Sequence, residues 1–229
     1  MAKNRNNTLA NEHHLICGQS GSGKTTFVRQ DADLKASKRV LFWDPYHDHD
    51  CPKRFDNAVD FKRFLAGALR RGIGFRVALS IEAPPEVMCQ KLDEFYDIAW
   101  MIADGNKKTC LVVEEIADGY DTIAKAKGRG GQVFRAGRSF GLKIYALTQS
   151  VSEIPKTIVK QCGSKVVFYH NDYSDLKRAG ELAGQPPDEI CGLQTGEYFI
   201  RQAGALAGEK RRTKKLAAPK RERRRKKST

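Results

Sequence analysis

Three glycines, a lysine and a threonine stand close together in Gly18–Thr25, GQSGSGKT. Glycines at 18, 21 and 23 let a backbone turn tightly enough for successive N–H groups to converge on one anion. Lys24 adds a positive charge beside them, and the Thr25 hydroxyl is a hard oxygen donor suited to Mg²⁺. Such a loop works only between a strand that enters it and a helix that leaves it. The flanks, Leu15–Cys17 and then TTFVRQ, read that way. The pattern predicts a nucleoside triphosphate site with Mg²⁺, built from Gly18, Gln19, Ser20, Gly21, Ser22, Gly23, Lys24, Thr25 and Thr26.

A second apolar run ends in acids at Cys110–Glu115, CLVVEE. This is a Walker B pattern: a buried strand delivers one carboxylate to the metal shell, and the next residue can polarise an attacking water. Glu114 takes the first role and Glu115 the second. A third run, Lys143–Ser150 (KIYALTQS), ends in Thr148-Gln149 and places an amide where it can touch the γ-phosphate or the water. Alone, a glutamine at a strand end says little; its surroundings give it meaning.

These residues need a scaffold that brings distant strand ends together. From His14 to Phe199, short apolar runs alternate with helical patterns, the rhythm of an α/β sheet protein. The predicted strands are Leu15–Cys17, Val40–Trp43, Phe75–Ser80, Leu111–Val113, Lys143–Thr148 and Lys165–Tyr169, with a late pair around Tyr198–Arg201. Phe61, Phe64, Leu65, Ala68 and Leu69 share one helical face, stopped at Gly72. A second helix is predicted from Glu86 to Asp104, with Met88, Leu92, Phe95, Ala99 and Ile102 as its core stripe. Two predicted strands between the phosphate loop and the Walker B acids argue against a compact small-molecule kinase, and no NKxD base-reading segment of a G domain occurs.

In their order, these motifs resemble the FtsK–HerA superfamily of DNA-pumping ATPases. The matching segments are the phosphate loop, VLFWDP (Val40–Pro45, similar to a "DPHGEY" segment), VVEE ending at Glu115, GRSFG (Gly137–Gly141) leading into ALTQSVSEIP, and LQTGEYFI (Leu193–Ile200). They span roughly Leu15 to Ile200. The resemblance implies an α/β, three-layer ASCE (RecA-like) P-loop fold with a mainly parallel sheet of order 5-1-4-3-2. The Gln149 strand would then lie between the phosphate-loop strand and the Walker B strand. It also implies ATP hydrolysis in a ring, usually a hexamer, with an arginine entering the neighbour's site. Arg138 matches the GR-x-x-G position, and Arg135 and Arg129 are the runners-up. Lys24, Glu115, Gln149 and Arg138 would be the catalytic groups. Asp44 matches the Asp after the second strand and would join Thr25 and Glu114 around the Mg²⁺; otherwise it is a turn or cap residue. Two departures stand out. Glu114 replaces the more common Asp, and the "DPHGEY" glycine and glutamate give way to DPYHDHDC. That His/Asp/Cys cluster would suit a transition metal or, more simply, a solvated loop.

Charge divides the 229 residues unevenly. The net charge is +14, of which Glu209–Thr229 carries +10, from twelve Lys/Arg and two Glu. The expected organisation is a flexible arm (1–12), a P-loop ATPase domain (13–203) and a disordered basic tail (204–229). No apolar run approaches the roughly 18 residues of a membrane-spanning helix, and the N-terminal residues lack a secretory pattern. The six cysteines show no C-x-x-C spacing, which points to a reducing, intracellular setting. These features and a near-minimal catalytic domain most resemble the genome-packaging ATPases of tailless, internal-membrane icosahedral viruses of the tectivirus and corticovirus type. The expected activity is ATP-driven translocation of double-stranded DNA through a ring into a preformed capsid. Lys125, Lys127 and Arg129 would offer a loop for phosphates. Other expected partners are further copies of the chain and the capsid vertex or viral membrane proteins. The setting would be the host cytoplasm during assembly and then the packaging vertex of the virion. The alternatives are a cellular or plasmid HerA-like translocase or helicase subunit, and a nucleotide-dependent assembly protein with little turnover.

Overall fold

A computed structural model describes residues 2–120 and 122–214. Nine strands form one sheet, and the apolar runs at its centre are buried on both faces, the condition of a parallel sheet. They are β1 (His14–Cys17), β2 (Arg39–Trp43), β3 (Arg54–Phe55), β4 (Phe75–Leu79), β5 (Thr109–Val113), β6 (Leu142–Thr148), β7 (Ser164–Val167), β8 (Glu197–Gln202) and β9 (Glu209–Arg212). Every residue of β2, β5 and β6 is buried.

The helices are α1 (Lys24–Gln30), α2 (Ala32–Ala36), α3 (Ala58–Arg70), α4 (Pro85–Ile102), α5 (Gly128–Ala136), α6 (Lys156–Gln161), α7 (Tyr173–Ala183) and α8 (Pro187–Cys191). Local chemistry starts several of them. The Asn57 side chain accepts from the Asp60 N–H ahead of α3, Asp172 accepts from Ser174 and Asp175 ahead of α7, and Pro85 opens α4.

Alternation along the strands divides the core into two layers. Leu15, Cys17, Leu111 and Val113 face one side, with the buried stripes of α3 to α8. Ile16, Cys110 and Val112 face the other, with Val28 of α1 and Leu34 of α2. The result is the three-layer α/β/α arrangement expected from the sequence. Among the described residues, no helix is long and apolar enough to cross a membrane.

The sheet order is β3-β4-β2-β5-β6-β1-β7-β8-β9. It differs from the expected five-strand order by its length. The sequence 5-1-4-3-2 is contained within it as β7-β1-β6-β5-β2, and further strands extend both edges. β3 and β4 add in parallel beyond β2, while β8 and β9 form an antiparallel hairpin beyond β7. The Gln149 strand, β6, lies between β1 and β5.

Both ends of the chain depart from expectation. Residues 2–12, expected as a flexible arm, are tied to the turns that follow α4 and precede β6. Lys3 N–H donates to Ala103 O at 3.1 Å and Asn6 N–H to Ser139 O at 2.7 Å. At the other end, Glu209–Arg212 was expected within the disordered tail but pairs with β8 as β9. Lys214 then joins Gln30 of α1: its N–H donates to Oε1 at 2.9 Å, and its carbonyl accepts from Nε2 at 2.5 Å. The remainder of the expected tail, 215–229, lies outside the described residues.

Candidate nucleotide site

The C-terminal ends of β1, β5 and β6 meet at one cavity of about 210 Å³. The phosphate loop forms its floor. Gly18, Gly21 and Gly23 all have positive φ (155°, 73° and 119°), a region open to glycine and strained for other residues. Gly23 is constrained twice over, because a Cβ there would stand 3.1 Å from the Gly196 Cα. Gly196 belongs to the LQTGEYFI segment, and its N–H donates to Ser22 O at 2.8 Å. That late motif therefore buttresses the loop. On the inner side, Phe168 packs against Gly18, and Gln19 N–H donates to Tyr169 O at 2.9 Å.

Lys24 opens α1 and curls back over the loop, donating from Nζ to Gly18 O at 2.6 Å and Gln19 O at 3.3 Å. Burial lowers its pKa, opposed by the nearby Glu115 and Glu114 carboxylates. The ammonium is held where an anion would restore the solvation it has lost. Gln19, Ser20, Gly21, Gly23, Thr25 and Thr26 also line the cavity. Ser22 differs: its side chain is buried and its hydroxyl has no partner.

Glu114 and Glu115 follow directly on β5 and line the same cavity. Glu114 is 2% exposed, and its Oε1 lies 2.5 Å from His49 Nε2. Glu115 takes a left-handed backbone (φ 40°) as the chain leaves the sheet. Its Oε2 accepts the Gln149 N–H at 3.0 Å. Burial pushes the Glu115 pKa above the ordinary carboxylate value, with hydrogen bonds from Gln149 and the charge of Lys24 opposing. A carboxylate with a raised pKa in a cavity is the kind of group from which general bases are drawn.

Lys24, Thr25, Glu114, Glu115 and Gln149 are thus brought together. Asp44 and Arg138 are not. Asp44 is fully buried at the end of β2, and its Oδ1 accepts the Asp48 N–H at 2.8 Å. Its Oδ2 accepts the His49 N–H at 3.1 Å and an Arg54 Nη1 hydrogen at 2.6 Å. With both oxygens engaged inside its own loop, Asp44 is a cap and ion-pair residue rather than part of a metal shell. Its neighbour Asp48 lines the cavity instead. The DPYHDHDC stretch is solvated at Tyr46, His47, Asp48 and Asp50, as expected of a loop, but His49 turns inward and is 4% exposed. The described residues contain no cluster of three or more His, Cys, Asp or Glu able to hold a metal.

Arg138 precedes β6, at the opposite end of the strands. The seven-residue strand puts it about 20 Å from the cavity within one chain. Its Nη1 donates to Leu9 O at 2.5 Å. Of the runners-up, Arg135 donates to Ala126 O at 3.1 Å, and Arg129 pairs with Asp97 at 2.5 Å. None of the three lines the cavity of its own chain. Asp48, His49 and the Gly196 contact escaped sequence reading. Asp48 and His49 lay inside a stretch already flagged for its acids and histidines, but spacing could not say which side chains turn inward.

No protein-family model matches the chain. Protein P9 of Pseudoalteromonas phage PM2 is 38% identical over 159 residues, covering 69% of this chain and 68% of P9. Among solved structures, the genome packaging NTPase B204 from Sulfolobus turreted icosahedral virus 2, in complex with AMPPCP, superposes with a TM-score of 0.67 at 14% identity. The match covers 91% of this chain and 99% of that one. VirB4 of Thermoanaerobacter pseudethanolicus gives a TM-score of 0.64 at 12% identity, covering 92% of this chain and 91% of that one. At such identities the structural likenesses speak for the fold, that of P-loop ATPases, in which β6 sits between the phosphate-loop and Walker B strands. The chain, with the fold of a P-loop ATPase, belongs to the family of Protein P9 of phage PM2.

Proposed function

We propose that this protein is an ATP-driven double-stranded-DNA translocase that packages a viral genome into a preformed capsid. One observation carries the hydrolytic part: a phosphate loop, two acids and a strand-end glutamine share one cavity. Backbone N–H groups of residues 20, 21 and 23–25 and the Lys24 ammonium bind the β- and γ-phosphates. The Thr25 hydroxyl with the Glu114 and Asp48 carboxylates offers a hard oxygen set at the cavity, which fits Mg²⁺. When bound, the ion neutralises charge shared by the β- and γ-phosphate oxygens. Glu115 takes the proton of the attacking water, and Gln149, whose N–H holds Glu115, lines the cavity within which its amide would reach the terminal phosphate.

Translocation requires this chemistry to move DNA. Glu115 begins the segment that leads to exposed Lys125 and Lys127, and Gln149 begins the one that leads to exposed Lys156. Contacts to phosphates rather than base edges suit a motor that must accept any sequence. Self-assembly into a ring, probed by Arg138, and docking at a capsid vertex or viral membrane protein complete the reading. The Glu115–Gln149 pairing favours turnover over a purely structural nucleotide role. Phosphate release measured with and without duplex DNA tests the proposal. Stimulation by DNA of any sequence, abolished in Lys24→Ala, is the expected result. Nucleotide binding without turnover in the assembled, DNA-bound protein would refute it.

A further inference from the structure

His49 lies in the turn between β2 and β3, within the DPYHDHDC stretch, and it makes one of the shortest buried contacts of the site. Its Nε2 lies 2.5 Å from Glu114 Oε1, with the two side chains 3% and 2% exposed. A carboxylate has no hydrogen to give, so the imidazole donates. The backbone of His49 is fixed at both ends: its N–H donates to Asp44 Oδ2 at 3.1 Å, and its carbonyl accepts from Arg54. Arg54 in turn donates to Asp44 at 2.6 Å and to Ser80 Oγ, at the end of β4, at 2.9 Å. The loop is also tied to α1, where Arg29 donates to Asp48 O at 2.7 Å. Behind the imidazole stands Phe42, ring centroids 5.1 Å apart. The ring thus sits in a frame built from β2, β4 and α1, and it points at the carboxylate that ends β5.

We infer that His49 is a positioning residue for the metal-shell carboxylate, fixing the plane of Glu114 through Oε1 so that its other oxygen is presented to the nucleotide cavity. The inference rests on the ATP–Mg²⁺ reading above and adds to it a residue and a task. Glutamate, one methylene longer than aspartate, has an additional torsion to restrain, and a buried donor restrains it. The frame also accounts for the Asp44–Arg54 pair: its work is to hold the His49 backbone. Outer groups of this kind typically change metal affinity by about 10–100-fold when removed.

The test separates metal from nucleotide. Binding of a fluorescent ATP analogue to the full chain is titrated with Mg²⁺ and repeated in EDTA, and Mn²⁺ binding is followed independently by electron paramagnetic resonance. His49→Leu and His49→Asn remove the reach of the donor, whereas His49→Gln keeps an N–H near the Nε2 position. For His49→Leu and His49→Asn, the metal concentration at half-saturation should rise by about tenfold or more, with affinity in EDTA unchanged. His49→Gln should stay within about threefold of the parent on the same scale. If His49→Leu does not fold, His49→Asn and His49→Gln decide the matter. Half-saturation within twofold of the parent in His49→Asn overturns the inference. So does an equal loss of affinity in EDTA, which would make His49 a support for the loop alone. Failure of the parent protein to bind the analogue with Mg²⁺ would instead bring down the nucleotide reading, and this inference with it.

Discussion

Gln149 donates its backbone N–H to Glu115 Oε2 at 3.0 Å, joining the ends of β5 and β6 at the mouth of the phosphate loop. Replacing Glu115 with Gln retains an oxygen that accepts this hydrogen bond but removes the group that takes a proton. Nucleotide affinity should therefore persist, while hydrolysis falls by about 10²–10⁴-fold. Filter binding and phosphate release on the same preparation check this. Turnover of Glu115→Gln at the parent rate would remove Glu115 from the chemistry.

Acid should unfold this protein through its buried histidines. Burial lowers His13 from 6.5 to about 3, helped by His14, Arg138 and Lys143. It lowers His170 from 6.5 to about 4, with Lys24 assisting and Asp175 and Asp172 opposing. Both bind a proton more readily in the unfolded chain. Their contribution to stability is complete above about pH 6.5 and is lost as pH falls toward 4, at about 1.4 kcal/mol per pH unit for each histidine. Neither ring nitrogen of His170 has a hydrogen-bond partner, so His170→Phe removes the titration without breaking a bond. Urea unfolding between pH 7 and 5 should show a slope shallower by about one proton in that variant. An identical slope would mean that His170 does not titrate on unfolding.

The sequence was most legible where one local segment carries the chemistry. Glycine spacing alone marks Gly18–Thr25, and an apolar run ending in two acids marks Glu114 and Glu115. The inner strand order came with the resemblance, because pairing between distant strands leaves no local trace. β9 was illegible for a different reason. Its residues, Glu-Lys-Arg-Arg, are all exposed and carry no apolar alternation, so the hairpin with β8 alone makes them a strand. Asp44 and His49 show the limit within a motif. Both are polar residues of one turn and both are buried, Asp44 against Arg54 and His49 against Glu114, pairings that spacing does not encode.

Arg138 offers a test of the ring. Within one chain it holds the Leu9 carbonyl at the strand ends remote from the cavity, so any catalytic part must be played in a neighbour's site. An Arg138→Ala subunit keeps an intact phosphate loop, and a Lys24→Ala subunit keeps an intact arginine. Mixed rings should recover part of the hydrolysis that each variant lacks alone. Co-assembled mixtures with no recovery would leave Arg138 as an anchor for residues 7–9. Full activity of Arg138→Ala would direct the search to Arg135 or Arg129.

The basic C-terminal segment is best tested by a cut after Lys214. Removal of all of Glu209–Thr229 would strip β9 from β8 and confuse a charge effect with a folding effect. A chain ending at Lys214 keeps that strand, the Thr213 N–H to Gly196 O bond and the Lys214–Gln30 contacts beside α1. It loses eight Lys/Arg and one Glu, +7 of the net +14. Every proposed ATPase residue stays in place, so basal hydrolysis should be unchanged. Affinity for nonspecific duplex DNA should fall and depend less on salt. Each phosphate neutralised contributes about −0.9 to the log–log slope, so a segment making four contacts accounts for roughly three to four units of slope. Equal slopes for the full and shortened chains would show that the segment does not grip DNA. Its charge would then be free for an acidic partner at the capsid, and pull-down of vertex proteins by the two chains would differ where DNA binding did not.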